Sequence, residues 1–256
     1  YPNRIKDFFE TGYTYITNVA ANGANDKGNF RLSYTNLSNN GIMPNTDLKR
    51  NNVNLSASYQ LHPKFKVNTN IAYTYSKSNN RPAVNRGSAI YVVYRQPANI
   101  NVQKLRNYWK EGYEGLQQWS PVPGGNDNPY FVAYENINAF NRDRITGNIQ
   151  LNWDISPYFS IMGRTGLDFY NETRESHSAF SSSSYPTGAY SLANSYYRER
   201  NTDFLATFKK NLTDNWFFSV SVGANRMNQS GNNDQIGTTK LVMPGVYNIS
   251  YAVFCL

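Results

Sequence analysis

Two histidines, His62 and His177, are the first residues here that could do chemistry, because a neutral imidazole can bind a metal or move a proton near neutral pH. They fall at opposite ends of the strands described below. No shared metal site or histidine-based catalytic set is therefore expected, and both read as solvated, His62 in a short turn and His177 in a loop. The carboxylates offer little more. Glu172 and Glu175 lie around Arg174 in a polar stretch that reads as a solvated loop, and no carboxylate pair is evident for glycoside chemistry. No glycine-rich phosphate loop occurs, and Gly124-Gly125 reads as a loop bend after nearby prolines. One cysteine, Cys255, rules out a disulfide framework and a cysteine-rich metal centre. The expectation is a protein without catalysis, metal or cofactor.

Charges and aromatic rings remain. Arg31, Arg144, Arg164 and Asp168 fall on the polar side of alternating segments, where they would face a water-filled lumen. They could tune what passes, or pair with one another or with a plug. The segment 79–142 is rich in aromatics, and exposed rings there could bind the C–H faces of sugars or peptide side chains. They could equally pack the segment onto itself. Trp109 and Trp119 are the candidate ligand contacts.

Such residues need elements to hold them, and the strongest signal is alternation of period two. Val53, Leu55, Ala57, Tyr59 and Leu61 share one face, with Asn54, Ser56, Ser58 and Gln60 on the other. After His62-Pro63-Lys64 the pattern resumes with Phe65, Val67, Ile71, Tyr73 and Tyr75. The same unit recurs at 143–171 around Ser156-Pro157, and at 202–228 around Thr213-Asp214-Asn215. A weaker copy near the start turns at Asn25-Asp26-Lys27-Gly28. This predicts eight antiparallel strands of about 10–14 residues, long enough for a tilted bilayer crossing, which needs roughly 9–11. Short turns lie on one side. Longer segments at 39–47, 79–142 and 172–197, and the tail from 229, lie on the other, which is the layout of an outer-membrane barrel with long extracellular loops. Residues 101–111 could form a short helix. Residues 172–197, with Ser181 to Ser184, read as a mobile loop. Phe65, Tyr75, Trp153, Phe159, Trp216 and Phe218 sit near strand ends, where an interfacial girdle belongs. Lys210 falls on the apolar face beside a turn and could reach toward head groups.

Composition agrees. Of 256 residues, 15% are aromatic and only 16% charged, so most of the polarity comes from Asn, Ser and Thr. That suits a sheet with one face in lipid and the other in water. No apolar run of roughly 18 residues exists, so no membrane-spanning helix is expected. The net charge of +8 is scattered and accompanied by no nucleic-acid motif, so no nucleic acid is expected. Alternation alone also fits a soluble β-sandwich. Strand length, loop asymmetry and low charge favour the membrane.

The segment DFFETG at 7–12 and the stretch NGANDKGNFRLSYTNLSNNGIMPNTDLKRNNVNLSASYQL at 22–61 resemble the SusC/RagA-type TonB-linked outer-membrane proteins of the Bacteroidota. DNPYF at 127–131 and MPGVYNIS at 243–250 also look like loop segments of that family. The resemblance implies an all-β, up-and-down barrel of roughly 22 strands with a plug inside. It implies an active transporter in the outer membrane of a Gram-negative bacterium, energised by the TonB complex and paired with a SusD-like surface lipoprotein. It would import glycans or oligopeptides. The plug and the TonB-contacting box would precede Tyr1 and further strands would follow Leu256. Residues 1–256 are therefore expected to be a partial barrel domain, a fragment. The ending VFCL is unlike a natural barrel terminus. The competing reading is a small stand-alone outer-membrane or surface β protein that binds glycans; a secreted β-rich enzyme is a distant third.

Overall fold

The computed structural model describes residues 1–123 and 125–253. Gly124 of the expected loop bend, and Cys255, lie outside the described residues. Eight strands form a single antiparallel meander in sequence order: β1 (Tyr13–Asn25), β2 (Gly28–Asn40), β3 (Asp47–His62), β4 (Phe65–Ser78), β5 (Ile137–Ser156), β6 (Phe159–Phe180), β7 (Thr187–Thr213) and β8 (Trp216–Thr238). The all-β, up-and-down expectation is met. Among the described residues β1 pairs only with β2, and β8 only with β7, so the sheet is open.

Each hairpin turn at one end spans two residues, and a side chain closes each of them. The Asn25 carboxamide oxygen accepts from the amides of Lys27 and Gly28, both at 2.9 Å. Ser156 Oγ accepts from Tyr158 and Phe159, and Thr213 Oγ1 from Asn215. These short polar side chains satisfy turn amides that the ladder cannot reach. In the remaining turn His62 Nδ1 accepts from the Lys64 amide at 3.3 Å, and Pro63 sits where its missing N–H costs nothing. A bulge precedes each of the last three turns, at Gln60/His62, Asp154/Ser156 and Asn211/Thr213, adding local twist. Gly28 stands opposite Tyr59, Phe65 opposite Trp153, and Phe159 opposite Phe208. Each turn therefore reaches beyond its predecessor, which is the stagger of strands tilted in a barrel wall.

Register carries the sequence pattern across the sheet. Val19, Tyr34, Val53, Tyr73, Ile145 and Phe169 form one row on one face. The next rows toward the turns contain Leu32, Leu55, Ile71, Ile149 and Leu151. Among the described residues nothing packs against the middle of this face: Val222 is 70% exposed and Trp216 71%. An apolar surface this extensive and this uncovered calls for a non-aqueous neighbour. Aromatic rings gather at its turn end, where Phe65 and Trp153 lie 6.3 Å apart and Phe208 and Phe218 6.4 Å apart. Lys210 extends there over the Tyr158 ring, with 5.8 Å from Nζ to the centroid.

Buried apolar side chains gather not on the sheet but in the loops at the far end. Phe8, Val93, Val102, Leu105, Tyr130 and Phe131 form the centre of that cluster. It is built from the first ten residues and the long connection between β4 and β5. That connection carries two short helices, α1 (Ala89–Tyr94) and α2 (Pro129–Glu135), and a 3-10 turn at Val102–Arg106. Ser88 caps α1, and Asn128 caps α2 with Pro129 in its first turn. Asn128 also donates to the carbonyls of Leu105 and Trp119, tying the helix to the rest of the loop.

Five expectations need correction. The link between β6 and β7 is not a loop over 172–197 but six residues, 181–186. The tail does not begin at 229, because β8 runs to Thr238, and β5 starts at Ile137 rather than near 143. Above the apolar band both faces meet water, so the alternation fades while the ladder continues. Ser181 to Ser184 are held rather than mobile. Asp127, nearly buried, accepts from the Ser183 amide at 2.8 Å, from the Ser182 and Ser183 hydroxyls, and from Gln118 Nε2 at 2.7 Å. Residues 101–111 give only the 3-10 turn.

Candidate functional site

The face opposite the apolar one carries the chemistry. In β1–β4 it is mostly uncharged: Asn18, Thr35, Asn52 and Thr74 stand in one row, and Asn22, Ser56 and Asn70 in another. In β5–β7 it carries ion pairs. Arg31, Arg144, Arg164 and Asp168 all lie on this polar face, as the alternation requires. Arg144 and Asp168 bond to each other with both guanidinium prongs, Nε to Oδ1 at 2.8 Å and Nη2 to Oδ2 at 2.5 Å. Arg164 pairs instead with Asp203 on β7, at 2.7 Å. Arg31 stands apart near the turn end, without an ion pair among the described residues. These pairs are partly exposed and hold neighbouring strands in register more than they stabilise the fold.

A second charged cluster lies closer to the loops. Glu172 is not a loop residue; it sits in β6 and is 3% exposed. It accepts from Arg142 Nε at 2.6 Å and is also bonded by Arg174 two residues along its own strand. The Arg142 guanidinium rests on the Tyr170 ring, 5.0 Å from its centroid. Arg50 stands in the same row as Arg142, with Ser76 between them, and donates to the Ser76 hydroxyl. Arg81, just past β4, lies over the Phe140 ring at 4.8 Å and donates to Asn138 Oδ1 at 3.1 Å. Its buried Nε has no partner among the described residues. Burial, and next the charge of Arg174, lower the pKa of Arg81 from its ordinary value.

Beside this cluster opens a cavity of about 900 Å³, lined by Arg81, Arg86, Asn138, Ser176, His177 and Tyr190 among others. His177 is likewise not a loop residue. It lies near the end of β6, far beyond the apolar band, and stacks on Tyr247 of the tail with ring centroids 3.7 Å apart. Burial holds its pKa down at about 4 and pushes the Tyr247 hydroxyl up to about 12. An unfolded histidine titrates near 6.5, so the open chain takes up a proton that the stacked ring refuses. The stacked tail is therefore fully stable above about pH 6.5 and loosens as pH falls from there toward 4. A spin label at Ser250→Cys, with Cys255 replaced, should gain mobility over that window. His177→Phe should abolish the change, and a label mobility independent of pH in the parent would contradict it.

The two candidate tryptophans differ. The Trp109 ring packs edge-on against Phe131 at 5.4 Å, inside the loop cluster. Trp119 is 46% exposed, while its backbone bonds to Tyr108. The Tyr108 hydroxyl donates to Glu135 at 2.8 Å, and burial, then that carboxylate, raise its pKa. His62 lies exposed at a turn, at the opposite end from His177. Among the described residues no group of three metal-binding side chains assembles. Sequence reasoning missed Arg50, Arg81, Arg142, Arg174 and Asp203. Continuing the period-two count past residue 171 would have put Glu172 on the polar face across from Arg142.

A long, staggered meander with one bare apolar face, one polar face and a capped loop end has the form of a segment of barrel wall. The chain is similar to a part of the RagAB peptide importer in its "closed-closed" state, with a TM-score of 0.77 at 14% identity, covering 99% of this chain and 28% of that one. Its similarity to the importer in the "open-open" state is 0.73 at 14% identity, again covering 99% and 28%. A further structure of the RagAB peptide transporter gives 0.69 at 14% identity, covering 92% and 26%. At that identity the likeness shows the fold, and this chain spans about 28% of the length of the solved chains it matches. No protein-family model and no curated protein matches the chain.

Proposed function

We propose that these residues are part of the wall of an outer-membrane active transporter of the SusC/RagA type, a partial TonB-dependent receptor barrel. The bare apolar face carries this reading, because lipid is the solvent that such a face fits. The open sheet adds support: unpaired edges are not tolerated in a bilayer, so neighbouring strands of a larger barrel should complete them. A closed eight-stranded barrel would pair β1 with β8, and no such pairing occurs among the described residues, which favours the larger-barrel reading over a small closed barrel. In this reading the short turns face the periplasm and the loop cluster faces outward. Arg31, Arg144, Arg164 and Asp168 line the lumen, and Trp119, with Trp109 behind it, borders the entrance. The imported substrates are glycans or oligopeptides. A SusD-like lipoprotein covers the loop end, and the TonB complex supplies energy through a plug.

The reading predicts that the protein fractionates with the outer membrane. Deleting its gene should abolish uptake of one class of labelled oligomer, and a proton ionophore should abolish the same uptake in the parent strain. A protein found in the soluble fraction, or uptake unchanged in the deletion strain, would contradict it.

A further inference from the structure

Two guanidinium groups hold the one carboxylate of Glu172, Arg81 lies near enough to feel its charge, and Arg50 stands two strands from Arg142 in the same row, so the charges of the group do not cancel. Arg142 and Arg174 share Glu172. Among the described residues Arg81 has only the Asn138 oxygens and the face of Phe140 as bonding partners, and its Nε is buried without an acceptor. Arg50 bonds only to the Ser76 hydroxyl. Arg174 stands directly across from Phe140 in the ladder, close enough for its charge to act on Arg81, which lies over that ring. Rings under Arg81 and Arg142 fix the guanidinium planes before any ligand arrives. A buried cation with an unused donor is costly until an anion meets it.

We propose that Arg50, Arg81, Arg142 and Arg174 form an anion subsite on the polar face that takes a carboxylate of an acidic oligopeptide. The planar fork of guanidinium matches a carboxylate with two parallel hydrogen bonds. The adjoining cavity suits the rest of a peptide, since the side chains of Asn85, Ser176, Ser178 and Ser184 offer donors and acceptors for main-chain amides. Glu172 is the positioning residue: it spaces Arg142 from Arg174 and, among the described residues, leaves Arg142 Nη1 and both Nη atoms of Arg174 without a hydrogen bond. The subsite rests on the transporter reading above, and deepens it by giving the substrate a charge.

The test uses the whole protein purified from outer membranes. Calorimetry compares a hexapeptide carrying two aspartates, the same peptide with two asparagines, and tetragalacturonate. The parent should bind the aspartate peptide roughly tenfold or more tighter than the asparagine peptide. The double variant Arg50→Gln, Arg174→Gln changes two exposed side chains and leaves the Arg142–Glu172 pair intact. It should lose most of the preference for the aspartate peptide while its affinity for the asparagine peptide stays at the parent's value. The double lysine variant keeps the charge but loses the fork, and should recover only part of the difference. Equal affinity of the parent for the two peptides would overturn the subsite. So would equal losses for both peptides in the glutamine variant, or tighter binding of tetragalacturonate than of the aspartate peptide. Uptake of all three compounds by whole cells, followed in parallel, separates the two levels. Retained uptake without acidic preference sinks the subsite alone, whereas no uptake of any of the three compounds sinks the transporter.

Discussion

Ile149→Arg is expected to destabilise the protein in lipid by about 2–4 kcal/mol, the cost of placing arginine near the middle of a barrel's lipid face. Ile149 lies midway along the apolar rows, between Thr69 and Thr165, and is exposed on the bare face of the sheet. Its neighbour Asn148 points the other way, opposite Asn70 and Gly166. Asn148→Arg should therefore change stability by no more than about 0.5 kcal/mol, as surface changes in water usually do. The two substitutions sit one residue apart in one strand and add the same side chain. Only the solvent on each face separates them. Urea unfolding of each variant in phospholipid vesicles, followed by tryptophan emission, measures the difference. Equal losses would mean that the two faces meet the same medium.

The second large effect belongs to the loops. Phe131 is fully buried at the centre of the only sizeable apolar cluster among the described residues, edge-on to Trp109 and 6.3 Å from Tyr108. Phe131→Ala should cost the cluster about 3–5 kcal/mol, the usual range for a buried aromatic truncated to alanine. The cluster and the sheet share few packed side chains, so the damage should stay local. Proteinase added to intact cells should cut the variant within 79–136 much faster than the parent. The heat-modifiable gel mobility of the folded barrel should stay unchanged. Loss of that mobility would show that the loop core and the sheet fold as one unit.

What could be read in the sequence followed the solvent. Where one face of a strand is apolar and the other polar, as in 53–61 and 65–75, period two gave the strand, its facing residues and its turn. The turns at Asp26-Lys27, Pro63-Lys64 and Asp214-Asn215 were legible for the same reason, because turn residues interrupt a clear pattern. The strand extensions at 172–180, 187–201 and 229–238 were not legible. Both of their faces are polar, so a ladder there looks like a polar loop. That also hid the site. Glu172 and His177 fell in the stretch taken for a loop, so the arginine cluster around Glu172 had no visible centre. Arg144, Arg164 and Asp168 were legible because they lie within the amphipathic part, although nothing in the sequence gave Asp203 as the partner of Arg164. The helices of the long connection span six and seven residues, too short for a helical period to show. The order of Ser181 to Ser184 depends on Asp127, more than fifty positions earlier, and such a contact leaves no local trace.

The central claim is that the apolar face of this sheet lies in lipid and the other does not. The most direct measurement is a single spin label moved along β8 from Phe218 to Asn225, in the whole protein reconstituted into bilayers. Collision rates with oxygen, which dissolves in lipid, and with a water-soluble nickel chelate would be recorded at each site. The account predicts oxygen maxima at Phe218, Val220, Val222 and Ala224. Oxygen collisions should be lower at Ser219, Ser221, Gly223 and Asn225. Equal collision profiles at odd and even positions, or nickel collisions as frequent at Val220 and Val222 as in free solution, would contradict it.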